Sequence, residues 1–66
     1  MEEIRFNKRI YKEAAIKMSM SDFSELAMFS FKQNTKYFIV GVSDVHPDFS
    51  VNIKDEFINY VLTKTI

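Results

Sequence analysis

Asp44, His46 and Asp48 alternate along one short stretch, and an imidazole between two carboxylates is a donor set that a metal ion could use. His46 is the only histidine and the chain has no cysteine, so the set falls short of the four ligands, or three plus water, that zinc takes. Polar loops alternate in the same way, and Pro47 marks this one as a turn. The expected reading is a solvated turn with no metal. Nucleophiles are equally poorly supported. Ser19, Ser21, Ser24, Ser30, Ser43 and Ser50 all lack the G-x-S-x-G setting that lifts a serine out of a strand-to-helix turn. Gly41 is the single glycine, which excludes both G-x-G-x-x-G and the phosphate-cradling P-loop. The sequence therefore predicts neither an enzyme nor a cofactor site.

Phe29, Phe31, Tyr37 and Phe38 are of the type that stacks bases on the sheet of RNA-binding modules. That chemistry needs a basic excess beside the rings, because phosphate neutralisation drives affinity. Here nine basic and nine acidic residues cancel. Lys32 and Lys36 fall in a loop, and Arg5, Lys8 and Arg9 on another strand, so ordinary packing of the rings under helices is expected and nucleic acid is not. Met18, Met20 and Met28 could form an adaptable binding patch, since Met repacks readily. Met18 is assigned to the core; core and patch remain open for the other two.

The elements that must position these groups follow from periodicity. Ile4 to Ile10 alternates, with Ile4, Phe6 and Ile10 in one row that Lys8 interrupts, and predicts a half-buried strand. Tyr11, Ala14, Ala15 and Met18 fall on one helical face, widened by Ile16 and Met20, and predict a helix over 12–20, ending where Ser and Asp offer competing local bonds. Leu26–Phe31 and Tyr37–Val42, joined by the polar stretch 32–36, read as a β-hairpin. The second run is apolar on both sides, which suits a central strand covered on both faces, or one whose outer face meets a partner. Gly41 within it marks a bulge or a close backbone approach. Asn52 is placed as the N-cap of a final helix over 52–65, with Ile53, Phe57, Val61, Ile58 and Leu62 on its apolar stripe. The predicted fold is one α+β domain over residues 1–66, in the order β-α-β-β-α. It is a three-stranded, mostly antiparallel sheet with two helices packed on one face.

Sixty-six residues make a small domain, whose core alone rarely supplies more than about 3–5 kcal/mol. Without disulfides or a metal cluster, the remaining supports are an apolar core and a partner surface. The composition, 47% hydrophobic with seven Phe and three Tyr, fits both. A homo-oligomer or a hetero-complex is expected. The start of the chain, Met1 to Phe6, has no apolar core of a signal peptide, and the longest apolar run, Tyr37 to Val42, is far short of a membrane span. A cytoplasmic setting with no membrane is expected.

Four segments carry a family resemblance: Ile10 to Lys17, Phe23 to Phe29, Tyr37 to Val40 and Glu56 to Leu62. In order and spacing, across nearly the whole chain, they resemble the HxsD family, small proteins of the bacterial His-Xaa-Ser peptide-maturation systems. The acidic-Phe-x-Asn-x-x-Leu stretch, Glu56 to Leu62, is the most specific piece. The sequence departs from the family where an acidic-Gln-x-x-Arg stretch would follow and Thr63-Lys64-Thr65-Ile66 stands instead. It departs again at Met18-Ser19-Met20, in place of Ala-Ala-Tyr. The resemblance implies an accessory protein that binds a precursor peptide or the radical SAM enzyme that modifies it. An edge strand would accept an extended peptide by strand addition. Candidate partner-binding residues are Ile4, Phe6, Phe29, Phe31, Tyr37 and Ile39, with Asn59 implied by the resemblance. A phage-type inhibitor or structural homo-oligomer is the alternative.

Overall fold

The computed structural model describes residues 2–49 and 52–66; Met1, Val51 and Ser50, the last considered above among the serines, lie outside the described residues. The chain runs β1 (Glu2–Asn7), α1 (Glu13–Asp22), β2 (Met28–Gln33), β3 (Tyr37–Ser43), a single 3-10 turn (Pro47–Phe49) and α2 (Ile53–Thr65). The predicted order β-α-β-β-α is the observed one.

β3 is the middle strand and pairs antiparallel with both neighbours, so the order is β1-β3-β2. Its run Phe38–Val42 is buried throughout, which explains why its sequence is apolar on both sides. β1 alternates as expected, with Ile4 and Phe6 buried and Arg5 exposed. It stops at Asn7 rather than continuing to Ile10. The Asn7 side-chain oxygen accepts the Arg9 N–H at 2.8 Å, and its carbonyl accepts the Ile10 and Tyr11 N–H groups, both at 3.0 Å. A short polar side chain that bonds its own neighbouring backbone turns the chain where periodicity alone extends the strand. Ile10 is left exposed.

Gly41 marks no bulge, since the register runs unbroken through it on both sides and its φ is negative. It opens a low point on the sheet instead. Glu3 of β1 lies opposite Gly41, and its carboxylate reaches Lys32 of β2 at 3.1 Å across the central strand. A side chain at Gly41 would stand between them.

The helices cover the face formed by Ile4, Phe6, Phe29, Phe31, Phe38, Val40 and Val42. They run antiparallel: the Lys12 N–H before α1 donates to Thr65 Oγ1 near the end of α2, while Tyr60 reaches Asp22 at the end of α1. The α1 face is rotated from the predicted one. Ala15, Ile16 and Ser19 are buried, whereas Ala14 and Met18 are exposed. The reason is Ser19: its hydroxyl donates to the Ala15 carbonyl at 2.7 Å, so a polar residue sits fully buried with its bond made. α1 then continues to Asp22, two residues past the predicted end.

α2 buries Ile53, Phe57, Val61 and Thr65, a narrower stripe than predicted, with Leu62 exposed. Asn52 holds the N-cap position without a side-chain cap bond. Phe57 lies at the centre of the core. Its ring stacks on Phe29 at 4.8 Å between centroids and meets Phe23 and Phe6 edge-on at 5.3 and 6.2 Å. These are the offset and T-shaped arrangements that aromatic quadrupoles favour.

Candidate functional site

With the helices on one face, the sequence-predicted partner residues divide. Ile4 and Phe6 are buried in the core, and Phe29 and Phe31 lie on the helix side, half-buried. None of the four belongs to the open face of the sheet. That face carries Tyr37 and Ile39 from β3, flanked by Glu3, Arg5, Ser30 and Lys32. Ile39 is itself covered, leaving a largely polar surface with the half-buried Tyr37 ring. A base-stacking platform needs exposed rings, and here the phenylalanines of the sheet face the helices. Asn59 is exposed on α2, with its carbonyl accepting the Thr63 hydroxyl at 3.0 Å.

The sheet has two edges. Cross-strand bonding alternates along an antiparallel ladder, and two bonds fix its phase: Asn34 N–H to the Tyr37 carbonyl at 3.0 Å, and Lys8 N–H to the Lys36 carbonyl at 3.1 Å. On β2 the backbone groups of Phe29, Phe31 and Gln33 therefore point outward, away from β3. On β1 those of Glu3, Arg5 and Asn7 do. Among the described residues, no other element bonds to the outward groups of β2. The β1 edge is guarded by a dense row of charge, Glu2, Glu3 and Arg5, and by an ion pair from Glu2 to Lys54 of α2 at 3.5 Å. The β2 edge carries one charge, Lys32.

Beside β2 the structure opens a groove of about 310 Å³, lined by Met20, Ser21, Ser24, Ala27, Met28 and Phe29. It lies between the end of α1 and the start of β2. Met18 proves exposed, while Met20 is half-buried and Met28 exposed on this groove. Further along the edge, Lys17 of α1 sits over the Phe31 ring, its ammonium 4.9 Å from the centroid. Lys17 also meets Glu13 at 3.5 Å, an exposed i,i+4 pair that holds it only weakly.

Net neutrality conceals a separation of charge that periodicity does not reveal. β1 ends, the hairpin turns, α1 begins and α2 ends at one extremity of the fold, which gathers Lys8, Arg9, Lys12, Lys36 and Lys64 with only Glu13 among them. The other extremity gathers Asp22, Glu25, Asp44, Asp48, Asp55 and Glu56, with Lys54 among them and paired with Glu2. An open cleft of about 450 Å³ at the basic end is lined by Asn7, Arg9, Thr35, Lys36 and Tyr37. At the acidic end the Tyr60 hydroxyl donates to Asp22 at 2.6 Å. That hydrogen bond, then desolvation and the nearby negative charge, raise the Tyr60 pKa above its ordinary value.

The Asp44–His46–Asp48 stretch is a tethered turn. Asp44 takes a left-handed φ of 49°, the His46 N–H donates to the Leu26 carbonyl at 2.7 Å, and the Asp48 N–H donates to His46 Nδ1 at 3.2 Å. Among the described residues no three His, Asp or Glu side chains converge on one point. Among the described residues no helix is long and apolar enough to cross a membrane. Comparison with family models, with curated proteins and with solved structures finds no match for this chain.

Proposed function

We propose that the protein is a non-catalytic binding module that takes an extended peptide onto the outer edge of β2. The observation that carries this reading is the coincidence of outward backbone groups at Phe29, Phe31 and Gln33 with the apolar groove of Met20, Ala27, Met28 and Phe29 alongside. Strand addition supplies main-chain bonds for affinity, and the groove receives one side chain for specificity. The HxsD resemblance adds a setting. The peptide would be the precursor in a ribosomal-peptide maturation system, and the module would present it to a radical SAM enzyme in the cytoplasm.

A panning experiment tests the docking. The full chain is immobilised and challenged with a phage-displayed library of random nine-residue peptides. Gln33→Pro deletes an outward N–H and puts a ring on the β2 edge while leaving the ladder to β3 intact. Losing one main-chain bond weakens binding on the order of tenfold. Arg5→Pro makes the same change on the β1 edge and leaves binding unchanged. Enriched peptides indifferent to Gln33→Pro would show that the edge is not the site. A second reading, pairing of two β2 edges in a homodimer, predicts a molecular mass by light scattering that falls to the monomer value in Gln33→Pro.

A further inference from the structure

Resting on that reading, we propose that the β2 edge selects peptides carrying an apolar residue and an acidic residue two positions apart, the acidic one lying toward the hairpin turn. The argument is one of register and charge. A strand added to β2 alternates its side chains between the helix side and the open side. The residue opposite Phe29 falls on the helix side, at the groove lined by Met20, Ala27 and Phe29. The residue opposite Phe31 falls on the same side, roughly 6.8 Å further along. There it meets Lys17, whose ammonium already overhangs the Phe31 ring. The Lys17–Glu13 pair is exposed on both members, so Lys17 can turn to an incoming carboxylate at little cost.

The wider field has the same polarity. Beyond Phe31 the edge runs toward Gln33, whose side-chain oxygen accepts from Lys8 at 2.8 Å, and toward Lys36 in the basic extremity. Asp22 and Glu25 directly follow the groove-lining Ser21 and Ser24 in the chain. An acidic residue is thus attracted at the Phe31 position and beyond, and repelled at the groove end. The groove itself supplies sulfur and ring surface that adapts to aliphatic or aromatic side chains.

Sequencing the peptides enriched by the same panning, on the unmodified full chain and on Lys17→Glu, tests the inference. The expected result is a shared apolar-x-acidic or acidic-x-apolar pattern on the unmodified chain. Lys17→Glu should weaken those peptides roughly three- to tenfold and move the preference at the acidic position to Lys or Arg. A purely structural role for Lys17 would not exchange one charge preference for the other. Peptides that are lost in Gln33→Pro but show no acidic preference, or whose preference ignores Lys17→Glu, would overturn the inference and leave the docking edge standing. Absence of enrichment, or peptides indifferent to Gln33→Pro, would overturn the edge reading and this inference with it.

Discussion

Truncating Phe57 is expected to unfold this protein, while a same-class replacement is expected only to weaken it. The ring is fully buried and touches Phe6, Phe23 and Phe29. Phe57→Ala removes it from the point where α2 meets the sheet, at a cost of about 3–5 kcal/mol for the lost transfer energy and the cavity. A chain of 66 residues at roughly 0.05–0.15 kcal/mol each has about 3–10 kcal/mol in all. The Ala variant therefore sits at or near the midpoint of unfolding in water unless the domain lies at the stable end of that range. Phe57→Leu keeps an apolar side chain but loses the stacked and edge-on contacts, each worth about 0.5–1.5 kcal/mol and not simply additive. Its cost should be about 1–2 kcal/mol, which in a domain this size lowers Tm by roughly 4–16 °C. Far-UV circular dichroism during thermal and urea unfolding reads both variants. An Ala variant within about 1.5 kcal/mol of the parent, or a Leu variant as damaged as the Ala one, would refute the claim that the aromatic junction centred on Phe57 holds the helices to the sheet.

The Tyr60 hydroxyl should titrate above 10.0, followed by absorbance at 295 nm, and Asp22→Asn should return it toward that value. Because the folded pKa is raised, the pair's stabilisation is fully present below the ordinary tyrosine pKa and fades as pH rises through the folded value. The sign is wrong if stability instead grows across that window. The rotation of α1 predicts opposite outcomes for two lysine scans on one helix: Met18→Lys should stay within about 0.5 kcal/mol of the parent, while Ile16→Lys buries an unpaired charge and should abolish the thermal transition.

Element type and order were legible in the sequence because each strand and helix carries its own period. Ile4 and Phe6 alternate with charge, Phe29 and Phe31 share a side, and Ile53, Phe57 and Val61 recur every fourth residue. The run Phe38–Val42, apolar on both sides, suited the central place that β3 takes, but it suited equally a strand whose outer face meets a partner, so strand order came from the structure. The rest needed distances between parts of the chain far apart in sequence. Nothing local says that Ser19 can be core, since its burial depends on a hydroxyl bond inside a helix already packed on the sheet. Nothing local says that Gly41 makes room for Glu3 to meet Lys32 across a strand. The candidate site belongs to this second kind. The edges of the sheet follow from strand order, the groove from where the end of α1 falls beside Met28, and the charge separation from which termini share an extremity. Composition summed those charges to zero; only the tertiary fold sorts them by position, because a Coulomb field depends on where charges stand and not on how many there are.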